Sequence, residues 1–227
     1  MKHNLASHEL IKTQDGMTAL HVVSALGYPE YVSLFILDKQ MSNERDTAGN
    51  IPLHLACQNG HIQVVKLFYN AEVNIKDADG STPLHLACCN GNSGTVSALI
   101  EHDANVDAVD SFGRTPVYIA CSTNNQRVLQ RLLEKEAKVN IKTVSGMTAL
   151  RVSCKNENIA FVNMLLQSGA YVNSKQPNPV RLHEACTVGN ESILNILIQS
   201  KTSVNHKTKE GITPLHEACR HGHDKNS

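Results

Sequence analysis

The residues best suited to chemistry in this chain of 227 residues are four His-x-x-Cys pairs: His54/Cys57, His85/Cys88, His183/Cys186 and His216/Cys219. Positions i and i+3 of a helix share a face, so each pair presents an imidazole and a thiol together, half the donor set of a tetrahedral zinc site. The separation of the pairs argues against that use. Helices pack about 8–10 Å apart, so pairs on successive helices form a ladder and do not bring four donors within the ~2.0–2.3 Å of one ion. Cys88-Cys89 is the one local doubling. Catalytic signatures are missing as well: the chain has no G-x-S-x-G, H-E-x-x-H, phosphate-binding loop or G-x-G-x-x-G. The expectation is therefore a protein without catalytic residues, metal or cofactor requirement, whose function lies on its surface.

The cysteines mark the elements that position everything else. Cys57, Cys88, Cys121, Cys154, Cys186 and Cys219 fall 31, 33, 33, 32 and 33 residues apart, each following a recurring phrase: IPLH from Ile51, TPLH from Thr82, TPVY from Thr115, TALR from Thr148, VRLH from Val180 and TPLH from Thr213, with an earlier TALH from Thr18. Thr accepts a hydrogen bond as a helix N-cap, and Pro at the first helical position has no N–H to leave unsatisfied, so T-P opens a helix at little cost. Leu53, Leu84, Leu150, Leu182 and Leu215 then begin a buried stripe, and small Ala-Cys pairs one turn later allow close packing. Gly60, Gly91, Gly189 and Gly222 sit where this short helix must end at positive φ. A second helix carries the larger apolar face, for example Val64, Val65, Leu67 and Phe68. No single unit buries that face alone, so stability must come from stacking.

A period near 33, a Gly two residues before each phrase (Gly16, Gly49, Gly80, Gly113, Gly146, Gly211), the TPLH-like phrases and the closing A-x-V-N segments together resemble the ankyrin repeat, over about residues 8 to 223. The resemblance implies an all-α solenoid of antiparallel helix pairs with projecting hairpin-like fingers. It divides the chain, as one solenoid over 1–227, into a leading segment 1–14, repeats at about 15–47, 48–78, 79–111, 112–144, 145–176 and 177–209, and a partial repeat 210–227. It also implies that the phrase His braces the turn by hydrogen bonding and that the Cys position is a small core residue.

Two departures stand out. Tyr118 and Arg151 replace the phrase His, Asn124 and Glu157 occupy the Gly position between helices, and the finger QPNPV lacks its Gly, so residues 145–185 are expected to be the weakest stretch. The last repeat stops where its second helix should begin, leaving Ile193, Leu194, Ile196 and Leu197 expected to be partly uncovered. Both ends read as a piece of a longer array.

The resemblance places ligand binding on the fingers and the exposed side of the first helices. Phe112 and Met147 are apolar at finger positions where the core has no use for them, and Arg114 flanks them. Interfaces concentrate energy in a few aromatic, Met and Arg anchors, so Phe112, Arg114 and Met147 form the expected hot spot, with Ser111, Asp79, Ser81, Lys155 and Lys142 around it. The Asn closing each unit is structural first. Asn140, Asn173 and Asn205, each eight residues after a Leu, are also similar to substrates of an oxygen-dependent asparaginyl hydroxylase, with the purely structural role favoured.

Composition bounds the partner. Lys+Arg and Asp+Glu both number 21, yet residues 1–113 hold 6 basic and 13 acidic residues, net −7, and residues 114–227 hold 15 and 8, net +7. Arg45-Asp46 and Lys76-Asp77 look internally paired, whereas Lys142, Lys175 and Lys207 stand without an Asp. Such a split favours a partner, or a neighbouring copy, with the opposite charge gradient. Nucleic acid is disfavoured by the scarcity of aromatics, 4% with no Trp, and by the lack of a dense basic cluster. No stretch reaches the ~18 apolar residues of a membrane helix, the start MKHNLASHELIKTQ lacks a signal-peptide core, and seven cysteines without such a signal argue against a disulfide framework. The expectation is a monomer, unless the uncovered C-terminal face pairs, in the cytoplasm or nucleus and not secreted, acting as a protein-binding adaptor or scaffold. The alternative is a regulatory or targeting domain of a larger enzyme, channel or ubiquitin-ligase substrate receptor.

Overall fold

The computed structural model describes residues 12–36, 39–68, 71–172, 189–200, 207 and 210–220. Among these residues the secondary structure is helical, without strands, and the chain divides into two compact units, 1–111 and 112–227. The division falls inside the charge switch, so the first unit carries net −7 and the second net +7.

The first unit contains α1 (Ala19–Leu26), α2 (Pro29–Phe35), α3 (Lys39–Ser42), α4 (Pro52–Gln58), α5 (Ile62–Leu67), α6 (Pro83–Asn90) and α7 (Ser93–Glu101). First-helix and second-helix roles follow from the phrase. Helices α1, α4 and α6 open on it and stack in one row, while α2, α5 and α7 stack in a second row against them. Leu20, Leu53 and Leu84 with Cys57 and Cys88 fill the first row, and Val32, Val64, Phe68, Val96 and Leu99 fill the second. Each such aliphatic side chain contributes about 1.5–3 kcal/mol when fully buried. The second unit contains α8 (Pro116–Ser122), α9 (Gln126–Glu134), α10 (Ala149–Lys155), α11 (Ile159–Gln167), α12 (Glu191–Gln199) and α13 (Pro214–Arg220). Here α8 stacks on α10, each packs on its own second helix, α9 or α11, and α11 packs on α12.

The hairpin-like fingers are turns locked to each other by backbone bonds. Within a finger, Asp77 N–H donates to Ser81 O at 2.9 Å and Gly80 N–H to Asp77 O at 3.1 Å. Between fingers, Thr47 N–H donates to Asp15 O, Ala78 N–H to Ala48 O, Ser111 N–H to Asp79 O and, in the second unit, Val144 N–H to Phe112 O, at 2.8–3.0 Å. This register explains the finger glycine. Gly80 has φ 74°, and a Cβ there would lie 2.8 Å from the Ser111 nitrogen, so both conformation and space exclude a side chain.

Three expectations need correction. Ile193, Leu194 and Leu197 are buried, because α12 turns that face inward, whereas Ile196 is half-buried as expected and Ile198 is the exposed large apolar residue of that helix. Leu215, expected to begin a buried stripe, is 49% exposed, since the face that a following helix covers in the earlier units is open among the described residues. Arg45 and Lys76 do not pair with their neighbouring aspartates. Arg45 Nη1 donates to Gly49 O and to Lys76 O in the next finger, and Lys76 Nζ donates to Val109 O. The carboxylates cap their own turns instead, Asp46 Oδ1 accepting from Ala48 and Asn50 N–H and Asp77 Oδ1 from Ser81 N–H. The expected pairs of Leu182, Gly222 and His183/Cys186 lie outside the described residues.

No helix among the described residues is long and apolar enough to cross a membrane, and Cys57, Cys88, Cys89, Cys121, Cys154 and Cys219 are free thiols.

Candidate functional site

The phrase His is used up by the fold at His21 and at His54 of the pair His54/Cys57. Thr18 N–H and hydroxyl both point at His21 Nδ1, at 3.1 and 2.8 Å, and His21 Nε2 reaches Asn50 O at 3.0 Å in the next finger. Ile51 N–H likewise donates to His54 Nδ1, and His54 Nε2 bonds Ser81 O at 3.1 Å. Since Nδ1 accepts, the proton sits on Nε2, and each ring is a neutral strut between the start of its helix and the next finger. Burial lowers the pKa of both rings, although the carbonyl bond pulls the other way. The buried thiols are equally unsuited to chemistry: burial pushes Cys57 and Cys88 well up and Cys121 to about 12. Among the described residues no three His, Cys, Asp or Glu side chains gather as a metal site would require.

Where the His is replaced, the cap changes character. Thr115 Oγ1 accepts from Tyr118 N–H at 3.1 Å and Thr148 Oγ1 from Arg151 N–H at 3.3 Å, the ordinary N-cap bond. The hydroxyl takes over the turn, and the Tyr118 side chain is released to the surface side of α8.

There it lines a shallow groove of about 380 Å³ with Phe112, Arg114, Thr143, Val144 and Ser145. Phe112 is 56% exposed and Val144 82% exposed. The two stand side by side because the backbone register ties Val144 N–H to Phe112 O. The Arg114 guanidinium carbon lies 4.8 Å above the Phe112 ring centroid, within cation–π range. Thr143 occupies the position held by Asp46 and Asp77 in earlier fingers and performs the same task, its Oγ1 accepting from Met147 N–H at 3.0 Å. A hydroxyl replaces a carboxylate without loss of the turn, and the finger loses its negative charge.

The expected hot-spot residues are thus partly brought together. Phe112 and Arg114 meet in the groove, whereas Met147 is half-buried, closes the finger by accepting from Thr143 N–H and donating its own N–H to Thr143 Oγ1, and is not part of the lining. Lys142 is exposed on the same finger, and Lys155 is exposed in the last turn of α10. In the first unit Asp79 and Ser111 are exposed and joined by their backbone bond, while Ser81 is 6% exposed and serves His54. Val144 and Tyr118 are the residues that the hot-spot expectation omitted. Val144 was readable as an apolar fingertip, Tyr118 as the aromatic at a phrase-His position.

Asn140 clamps neighbouring turns: its Nδ2 donates to Gly169 O at 2.9 Å and its Oδ1 accepts from Tyr171 N–H at 2.7 Å. Asn74, which lacks the upstream Leu, makes the same clamp with Asp103 O and Asn105 N–H. Asn173 and Asn205 lie outside the described residues.

Family models described as ankyrin repeats (3 copies) match residues 2–77, 63–143 and 103–176, and one described as ankyrin repeats (many copies) matches 182–226. The chain belongs to the ankyrin repeat family. Among solved structures it is similar to the ankyrin repeat domain of Bcl-3, described as a unique member of the IkappaB protein family, at 28% identity over 90% of this chain and 95% of that one, TM-score 0.82. It is also similar to the human ASB11 ankyrin repeat domain, at 25% identity over 89% and 92%, TM-score 0.75. Comparison with curated proteins finds no match. Ankyrin repeat domains are protein–protein interaction modules, and the fold is typically non-catalytic.

Proposed function

We propose that this ankyrin chain is a non-catalytic adaptor or scaffold that holds a protein partner on its fingers and first helices, with the groove of the second unit as the energetic centre. The observation that carries the reading is the exposed apolar pair Phe112 and Val144 with Arg114 stacked on the ring. Nothing in the helix stacking needs those side chains outside, and their chemistry is that of interface anchors. The phrase residues that might have done chemistry are instead braces and packing.

A photo-crosslinker placed at Val144 tests the reading against one placed at Gln130, exposed on the second helix α9. Partners should be captured from position 144, should be absent from position 130, and should disappear in the Phe112→Ala/Arg114→Glu background. Equal capture from both positions, indifferent to that double substitution, would refute it.

A further inference from the structure

We propose that the finger Thr143–Met147 is a hinged lip of the groove, which opens on its own while α8 beneath it stays folded, because Tyr118 has replaced the imidazole that braces the fingers of the first unit. The proposal goes beyond the reading of the groove as a partner site. It concerns the free chain, so capture or loss of a partner does not decide it.

Fingers in the first unit are tied to the repeat before them from several sides. Ala78 N–H donates to Ala48 O at 3.0 Å, His54 Nε2–H to Ser81 O at 3.1 Å and Arg45 Nη1 to Lys76 O at 2.7 Å, so backbone, imidazole and guanidinium all hold the finger Asp77–Ser81. The finger Asp46–Asn50 is held by Thr47 N–H and hydroxyl, both on Asp15 O at 3.0 Å, and by His21 Nε2–H on Asn50 O at 3.0 Å. The finger Thr143–Met147 keeps one tie of this kind. Among the described residues its bond to the preceding repeat is Val144 N–H to Phe112 O at 2.8 Å and nothing else. Met147 O, the counterpart of Ser81 O and Asn50 O, accepts from Thr143 N–H of its own finger and from no imidazole, since Tyr118 stands in that place and lines the groove.

Inside, the finger is complete. Thr143 N–H donates to Met147 O, Gly146 N–H to Thr143 O and Met147 N–H to Thr143 Oγ1, at 2.8–3.0 Å. An element bonded within itself and weakly bonded outside opens as one piece at little cost. Thr148, buried as the N-cap of α10, fixes one end of it, and exposed Lys142 lies at the other. The motion has a consequence at the groove. Thr143, Val144 and Ser145 form one wall, and Phe112, Arg114 and Tyr118 form the other. A swing of the lip breaks the bond between Val144 and Phe112 and widens the 380 Å³ groove, so the lip sets what size of side chain can enter.

Amide exchange followed by NMR on the full chain reads the lip directly. Each neutral tie is worth about two- to tenfold in an opening equilibrium. Corrected for intrinsic rates, Val144 and Gly146 N–H should therefore be at least about fivefold less protected than their counterparts Ala78 and Gly80 N–H. Ile119 N–H of α8, bonded to Thr115 O at 3.0 Å, should exchange about tenfold or more slowly than the lip. Tyr118→His returns an imidazole between Thr115 and Met147 O and should slow Val144 and Gly146 N–H about threefold or more, leaving Ile119 N–H within about twofold. Thr143→Asp strengthens the turn from inside and should leave Val144 N–H within about twofold. Circular dichroism reports that each variant is folded, and the comparison within the unsubstituted chain stands without them. Val144 and Gly146 N–H as protected as Ala78 and Gly80 N–H would overturn the lip. Lip amides that exchange together with Ile119 N–H would overturn it too, because that is opening of the helices beneath. A folded Tyr118→His chain with unaltered lip exchange would overturn the missing brace as the cause.

Discussion

Replacing Glu157 by Gly should stabilise the second unit, although it deletes a side chain and a hydrogen bond. Glu157 ends the turn after α10 at φ 54°, in the register filled by Gly60 at φ 74° and Gly91 at φ 81°. An L-residue other than Gly in this region carries a penalty of about 1–2 kcal/mol. Against it stands one exposed bond, from Asn190 Nδ2 to Glu157 Oε2 at 3.1 Å, worth about 0.5 kcal/mol at the surface. The net gain is then about 0.5–1.5 kcal/mol, a rise in midpoint of about 1–6 °C for a chain of this length. Urea titration followed by circular dichroism measures it, with Glu157→Ala as the control that loses the bond and retains the backbone conformation. The Ala variant should be neutral or slightly destabilised. A Gly variant no more stable than the Ala variant would refute the strain argument. Amide exchange gives the companion measurement: Asn158 N–H, bonded to Ser153 O, should exchange sooner than His61 N–H, bonded in the same register to Ala56 O, if the stretch from residue 145 is the weaker one.

Three further outcomes follow from the same geometry. His21 and His54 have folded-state pKa values below the ordinary 6.5, so below pH 6.5 the unfolded chain binds protons that the folded chain refuses. Stability should therefore be full above pH 6.5 and fall as the pH drops, by up to about 1.4 kcal/mol per pH unit for each ring, and His54→Asn should flatten the slope of urea midpoint against pH. Asn140→Ala removes both bonds of its clamp and should cost about 1.5–3 kcal/mol in denaturant unfolding. Ser24 stands at the cysteine register with a fully buried hydroxyl that has no hydrogen-bond partner, so Ser24→Ala should raise the urea-derived stability by about 0.5–1 kcal/mol.

The sequence was most informative where a residue does one local job. TPLH announced a helix start, Gly80 a positive φ, and the Ala-Cys pairs a close approach, because each requirement is set by the backbone within a few residues. Even Glu157 was readable as strain, since its place in the repeat fixes its conformation whatever its type. Reading failed where the job depends on the neighbouring unit. Arg45-Asp46 looked like an ion pair in one dimension, but the cation reaches the next finger's carbonyl and the acid caps its own turn. Met147 looked like an anchor because it is apolar in a finger, yet the turn draws its backbone into bonds with the Thr143 N–H and hydroxyl.

By itself the sequence determined the repeat, its helix pairs and the burial of the phrase residues Leu20, Leu53, Leu84 and Leu150, since a period of about 33 with fixed caps and glycines leaves one way to stack an apolar face that no unit buries alone. Tertiary structure alone decided which surface residues meet. Phe112 and Val144 are 32 residues apart in the chain and become neighbours through a single backbone bond between fingers. Arg114 lies over the ring, and Tyr118 joins them once a threonine hydroxyl replaces the missing imidazole at its helix start. Those juxtapositions are set by the packing distance and register between repeats, which no local pattern encodes.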